Sequence, residues 1–418
     1  MFMFASIFKS DRPESDYAPG YRLPVENAAR FAGEIQASRQ VLGGARFLFL
    51  LSSLDLGGAE RQAIHLAAFL QHNLNAKVEV WGYGDAGPGA ELCERNAIPH
   101  RCISNPLQGS FPVKVWGLGS FVRQLRLARP DVLMPYTMGP NIVSALTWRL
   151  SGARLCIWNQ RDEGRRRVGR LFERIAVSQI PMFISNSTHA RDFLVNTVLA
   201  DASRVFVVRN GITLSPATVS RQQWRLDHGI PPDHFVACML ANLHRYKDHT
   251  TLLKAWSRVV SDLGQRGAGA TLLLAGRFDD VTEPLKALAS DLNLGPSVRF
   301  LGHVSDIPSL LGAVDLGVFS SRLEGCPNAV LECMAADLAV VATDIPGIRE
   351  ALGSQTEGLL SAPSDSEALA SNITRLALDA ALRSRCGSMN QERVGRLFGI
   401  DRMCVETTAL IVKALQPA

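Results

Sequence analysis

The segment VDLGVFSSRLEGCPNAVLE, residues 314–332, decides how the chain is read. Its first six residues, Val314–Phe319, form an apolar strand candidate. A loop containing Gly325 follows, and Pro327 then stands where a helix starts, a position at which its missing N–H costs nothing. Strand, glycine-bearing loop and helix in that order make half of a parallel βαβ unit. The same grammar recurs along the chain. It begins at Phe47–Leu51 and continues at 77–82, 98–103, 131–135, 154–158, 181–185 and 204–208. After Asn210-Gly211 and a polar stretch with Pro216, Pro231 and Pro232 it restarts, at 235–241, 271–275, 298–301, 314–319 and 338–342. Near-continuous apolar strands alternating with amphipathic helices predict parallel sheets covered on both faces.

The expected fold class is therefore α/β, with two Rossmann-like doubly wound domains facing across a cleft. The expected division is an extension over 1–45, a first domain over 46–212, a second over 213–395 and a C-terminal helix over 396–418. That helix is read from the spacing of Phe398, Ile400, Met403, Val405, Leu410, Ile411, Ala414 and Leu415. In open parallel sheets ligands bind beyond the carboxyl ends of the strands, so the loops there are the place to search.

At 418 residues, 47% of them hydrophobic and 20% charged, the chain can bury a sizeable core, which excludes a disordered or single small module. The net charge of +5 is unevenly spread: residues 1–210 hold 25 basic and 17 acidic groups, the remainder 19 and 22. A basic front half points to an anionic surface or substrate on that side. Nucleic acid is not expected, because no basic face is interleaved with aromatics, which total only 7%. Eight cysteines with no Cys-x-x-Cys pair indicate neither a zinc site nor a disulfide framework, and reduced thiols predict a cytoplasmic protein. The apolar start, residues 1–8, is a poor signal peptide, and no run of about 18 apolar residues could span a bilayer. Any membrane contact is expected to be peripheral, at the inner face.

Three loops carry the candidate chemistry. In the quoted segment, Glu324 precedes the helix and Glu332 lies about one turn inside it, framing backbone N–H groups and a positive dipole end suited to phosphate or sugar oxygens. Ionised carboxylates accept bidentately from vicinal hydroxyls. The competing reading makes both of them solvated helix-start charges. After the strand 235–241, Arg245 and Lys247 can neutralise a diphosphate, or else belong to a solvated loop. After the strand 47–51, Gly57 and Gly58 let backbone approach a ligand and open a helix, although tight strand-to-helix turns need glycine anyway.

As a set these residues resemble the GT-B glycosyltransferases of family 4, the glycosyl transferases group 1. EGCPNAVLE is similar to the family's Glu-x7-Glu signature, SLDLGGAERQ to its Gly-Gly-Ala-Glu turn, and VVRNGI (207–212) to its entry into the linker. ANLHRYKDHTTLLKAW (241–256) resembles its phosphate loop, FLGHVSDIPSLLGAVDLGVFSS (300–321) its nucleotide-side block, and VVATDIPGIREAL (340–352) the block that follows. The likeness runs from about residue 46 to 415 in order.

The resemblance implies sugar transfer from a nucleotide-sugar donor, UDP-linked in the first instance, with retention of configuration and no obligatory metal or other cofactor. Implied partners are that donor and a glycan or a polyprenyl- or other lipid-linked acceptor, in surface polysaccharide or glycolipid synthesis. Glu324 would contact donor-sugar hydroxyls and Glu332 the ribose. The N–H groups of Gly325, Cys326, Pro327's neighbour Asn328 and the turn at Pro327 would line sugar and phosphate. Lys247 would hold the diphosphate, Gly57 and Gly58 would close over it, and His303 and Val304 would flank the base.

Two positions depart from the family pattern. The arginine that often partners the phosphate-loop lysine is Asn242 here, which leaves Arg245 or Arg277 to take its place. A histidine often found near the donor sugar is replaced within Cys156–Asp162 by Asn159, Gln160 or Arg161. The run from Arg161 to Arg170, with Arg165, Arg166 and Arg167 between, reads either as a solvated helix face or as an acceptor- or membrane-side patch for anionic lipid. Other readings are a UDP-sugar 2-epimerase and a catalytically silent sugar-nucleotide-binding partner of another transferase.

Overall fold

A computed structural model describes residues 30–162, 164, 169–354 and 358–416. Arg46–Leu51 (β1), Lys77–Tyr83 (β2), His100–Ile103 (β3), Val132–Pro135 (β4), Leu155–Gln160 (β5), Met182–Ser185 (β6) and Val205–Val207 (β7) form one parallel sheet in the order β3-β2-β1-β4-β5-β6-β7. Phe235–Leu240 (β8), Ala270–Ala275 (β9), Val298–Gly302 (β10), Leu316–Phe319 (β11), Ala339–Thr343 (β12) and Leu360–Ser361 (β13) form a second, in the order β10-β9-β8-β11-β12-β13. In both sheets the strand order reverses beside the first strand, between β1 and β4 and between β8 and β11. Loops diverge at such switch points and leave a crevice. Every residue of β5, β8 and β9 is buried, as helices on both faces require.

The segment before β1 holds more structure than its weak periodicity predicts. Ala32–Leu42 is a helix whose Leu42 enters the first domain's core with Phe47 and Phe69. The signal is faint because only Ser38 and Leu42 of that helix are fully buried. The last helix, Ile400–Leu415, packs on this same core through Met403, Cys404 and Ile411, although the chain reaches it from the second domain. The two crossings between domains therefore lie side by side. Ile212 N–H donates to Phe398 O at 2.7 Å, and a Cβ on Gly211 would lie 2.5 Å from the Cα of Ile400. Buried Gln62 clasps Gly211 on both sides, donating to its carbonyl at 2.8 Å and accepting from its N–H at 2.9 Å.

His249 opens the helix His249–Gly264 with 1% of its surface exposed, and neither ring nitrogen has a hydrogen-bond partner among the described residues. Burial, assisted by the charge of Lys247, lowers its pKa from 6.5 to about 4. A histidine kept neutral in the fold contributes stability that is complete above its unfolded pKa and is lost as pH falls from 6.5 towards 4. The loss is about 3 kcal/mol at one pKa unit per 1.36 kcal/mol. Urea titrations at pH 7 and pH 4.5 should show His249→Phe losing less stability on acidification than the unsubstituted protein; equal losses would remove His249 as the source.

Candidate functional site

The site is built where the loops after β8 and β11 are knitted together. Arg245–Lys247 form one 3-10 turn after β8. Arg322 N–H donates to Tyr246 O at 2.9 Å, Arg322 Nε to Asp248 Oδ2 at 2.8 Å, and Ser320 Oγ to Lys247 O at 3.0 Å. These bonds hold Lys247 over the loop that carries Glu324, and Lys247 Nζ meets Glu324 Oε1 at 2.5 Å. Glu324 and Glu332 are 8% and 7% exposed, so neither is a solvated helix-start charge. The helix runs Asn328–Ala335 with Pro327 as its N-cap.

Gly347 keeps the loop in place. It lies in the first turn of the helix Pro346–Leu352, where a Cβ would come within 2.2 Å of Gly325 O and 2.3 Å of Glu324 O. The sequence block holding Gly347 was recognisable, but its role against Glu324 was not.

The first domain meets this loop with another helix N-terminus. Gly57 caps the helix Gly58–Leu74, and Gly58 O accepts from Asn328 Nδ2 at 3.3 Å. Asn210, just before the crossing, donates to Asn328 Oδ1 at 2.7 Å and Cys326 O at 3.2 Å. Arg61, one turn into the first-domain helix, pairs with Glu332 across the cleft. Burial raises the Glu332 pKa, and the Arg61 charge opposes that rise. Two positive helix ends thus converge on one space, a site suited to an anion. A second cross-domain tie lies nearby, where Glu350 accepts from Thr188 N–H at 2.8 Å and pairs with Arg209 at 3.3 Å. Neither Arg61 nor Asn210 was singled out by sequence reading, although each lies inside a recognised block.

The remaining expected residues are distributed as follows. Arg245 is exposed, with its guanidinium 5.3 Å from the Tyr246 ring centroid, and is not brought to Glu324. Asn242 Oδ1 accepts from Arg277 N–H at 3.1 Å, so it braces the ends of β8 and β9, while the Arg277 side chain is exposed. His303 is exposed at the end of β10, and Val304 packs on the second domain's core. Of the three residues offered in place of the family histidine, Asn159 and Gln160 are fully buried and only Arg161 reaches the cleft.

Grouping Arg161 with a solvent- or membrane-facing basic run requires correction. Its guanidinium turns inward, 4.7 Å from the Tyr136 ring centroid, and donates to Asn159 Oδ1 at 3.1 Å and Asn210 Oδ1 at 3.4 Å. A planar guanidinium gains more from the π face and two amide oxygens than from solvent. Its carbonyl sits 3.1 Å from where a Gly325 Cβ would be. Arg165, Arg166 and Arg167 lie outside the described residues.

Beyond β1, β2 and β3 the first domain holds a cavity of about 530 Å³, lined by Ser52, Tyr83, Asp85, Cys102, Asn105 and Gln108 among others. The Tyr83 hydroxyl is buried there with no partner among the described residues.

Residues 234–379 match the model of the glycosyl transferases group 1, and residues 56–215 match that of glycosyltransferase family 4. The chain belongs to this family. It is 24% identical over 236 residues to the capsular polysaccharide biosynthesis glycosyltransferase CapM of Staphylococcus aureus, covering 54% of this chain and 60% of CapM. It is 30% identical over 162 residues to the lipopolysaccharide core biosynthesis glycosyltransferase LpsE of Rhizobium meliloti, covering 39% and 45%. The chain thus spans about half the length of these two relatives. Anabaena HepE, solved with UDP and glucose, superposes with a TM-score of 0.77 at 21% identity, over 88% of this chain and all of HepE. A Rickettsia africae glycosyltransferase gives 0.76 at 18%, over 90% of this chain. The shared fold is GT-B.

The position of Gly347 in this family member can be tested directly. Gly347→Ala is expected to cost about 1–3 kcal/mol through the forced shift of backbone. Gly395→Ala, where nothing lies within 4 Å of the new Cβ, should leave the urea midpoint unchanged or raise it. Equal midpoints for both variants would show that the loop is free to move aside.

Proposed function

We propose that this protein transfers a sugar from a UDP-sugar to a glycan or lipid-linked acceptor in surface polysaccharide or glycolipid synthesis, with retention of anomeric configuration. The observation that carries the proposal is the Lys247–Glu324 pair, seated where two helix N-termini face each other. The presence of UDP and glucose in the HepE structure supports the donor. An Escherichia coli relative, 19% identical over 63% of this chain, is named as a UDP-Gal:alpha-D-GlcNAc-diphosphoundecaprenol galactosyltransferase, which supports a lipid-linked acceptor.

In this reading the donor replaces internal partners with its own groups. Lys247 leaves Glu324 for the diphosphate, and the freed carboxylate accepts from sugar hydroxyls. Glu332 exchanges Arg61 for ribose hydroxyls. The bond from the anomeric carbon to the diphosphate oxygen breaks as the acceptor hydroxyl adds on the same face, and the acceptor's proton passes to the departing phosphate. Lys247 and the N–H groups of Gly325, Cys326 and Asn328 carry the growing negative charge without an obligatory metal. Arg161 stands on the opposite wall, beside Gly325. The cavity lined by Ser52, Tyr83, Asp85 and Asn105 offers hydroxyl, carboxylate and amide groups to an acceptor sugar. A lipid-linked acceptor would bring the protein to a membrane, and eight free cysteines suit its cytoplasmic face. Among the described residues no helix is long and apolar enough to cross that membrane.

Glu324→Ala and Lys247→Ala should each lower transfer at least tenfold, which is 1.4 kcal/mol of transition-state stabilisation, with circular dichroism unchanged. Full activity in either variant would overturn the assigned roles. No turnover of any nucleotide sugar by the unsubstituted protein, with UDP still raising its melting temperature, would favour a silent binding partner.

A further inference from the structure

The first-domain wall of the cleft carries a cation that the fold does not neutralise. Arg161 follows β5 and is half-buried, its guanidinium held by the Tyr136 ring and by the Oδ1 atoms of Asn159 and Asn210. A guanidinium has five N–H donors. Those two bonds leave most of them free, and Nε is shut from solvent with no partner among the described residues. No carboxylate among the described residues pairs with Arg161. The adjoining acid, Asp162, is turned to its own loop, where Oδ1 accepts from Gln160 Nε2 at 2.9 Å and from Gly164 N–H at 2.8 Å.

Three other cations of the cleft are matched: Lys247 by Glu324, Arg61 by Glu332 and Arg209 by Glu350. Two amide oxygens and an aromatic face orient Arg161 but leave its charge uncancelled.

A second group beside it is also incomplete. Asn186, just after β6 and 2% exposed, donates from Nδ2 to Arg161 O at 3.1 Å, while its Oδ1 is buried without a partner among the described residues. That Oδ1 lies 3.3 Å, and Arg161 O 3.1 Å, from where a Gly325 Cβ would stand. Both residues therefore border the loop next to Glu324, the carboxylate to which the proposed function gives the donor-sugar hydroxyls. Polar atoms left unmatched in a buried wall mark where a ligand completes the bonding. The diphosphate already has Lys247 and two helix N-termini, so a further anion opposite Arg161 belongs to the sugar.

We propose that the donor sugar is a uronic acid, its carboxylate received in the Arg161 guanidinium fork and a neighbouring hydroxyl donated to Asn186 Oδ1. The inference rests on the transferase reading and narrows its donor. A carboxylate matches a guanidinium bidentately and neutralises it. A neutral hexose presents a hydroxymethyl group at the same carbon and leaves the charge uncompensated. A site built for a charged partner rejects the analogue that lacks it. Arg161 is then a specificity-determining residue, on the wall opposite Lys247 and Glu324.

Calorimetric titration of the full chain, without acceptor, tests this with UDP, UDP-glucose, UDP-galactose, UDP-glucuronate and UDP-galacturonate. The unsubstituted protein should bind at least one UDP-uronate ten times or more tighter than the matching neutral UDP-hexose. Arg161→Met should bring that ratio close to one. Arg161→Lys, which keeps the charge but not the planar fork, should retain an intermediate ratio. Binding of UDP by each variant reports that it is folded. Equal affinity of the unsubstituted protein for uronates and hexoses would overturn the proposal, and so would a ratio that survives in full in both variants. A loss in Arg161→Met as large for UDP as for the UDP-uronate would overturn it too, because that result assigns Arg161 to the diphosphate. Failure of the unsubstituted protein to bind UDP at all would instead sink the donor reading, and this inference with it.

Discussion

Two carboxylates are buried where the two domains meet, and an ionised carboxylate taken out of water is costly unless a cation accompanies it. Glu324 and Glu332 meet this constraint in different ways. Glu324 receives Lys247 from a loop of its own domain. Glu332 receives Arg61 from the other domain. Neutralising the second carboxylate therefore requires the cleft to be closed at that point, which makes domain approach and charge compensation one event. Removing either cation would take from a buried carboxylate the positive charge beside it, a larger penalty than the ion pair itself is worth.

The remainder of the architecture serves to bring those four side chains together. Two sheets with the same strand order aim their carboxyl ends, and hence their loops, at a shared space. The crossings at 210–212 and 398–400 run together, with Gln62 gripping Gly211, so the domains are joined along one line rather than at scattered points. The last helix completes the first domain's core after the chain has built the second. Stability of the first domain thus depends on residues 364 positions apart in sequence, Phe47 and Ile411.

Much of this was legible beforehand, for identifiable reasons. Apolar strands such as Phe47–Leu51 and the Gly325–Pro327 entry to a helix are local signals, and local signals survive in a bare sequence. Pairings were not legible. Lys247 and Glu324 were each picked out, but nothing in a separation of 77 residues says that they hold one another when no donor is bound. Arg161 sits in a dense arginine run, and composition alone placed it with its neighbours; of the groups that turn it inward, the Asn159 amide is two residues away, but the ring of Tyr136 and the amide of Asn210 come from two other segments. The helix 32–42 was missed because it buries little of itself.

The charge imbalance between the halves of the chain acquires two distinct meanings once these positions are known. Arg61 and Arg161 are spent in the cleft, where each is fixed by a carboxylate or by amides and an aromatic ring. They add little to the outward field of the domain. Among the described residues, much of the rest of the excess lies between residues 95 and 160, in the part of the domain that also exposes Phe111, Trp116 and Leu127. A domain that needed basic residues only for solubility would scatter them and mix in acids. Here one stretch of 66 residues, 95–160, holds a single acid, Asp131, and the apolar exposure falls in the same place. Two departures from an ordinary surface, a stretch poor in acids and large exposed apolar side chains, thus coincide at one helix.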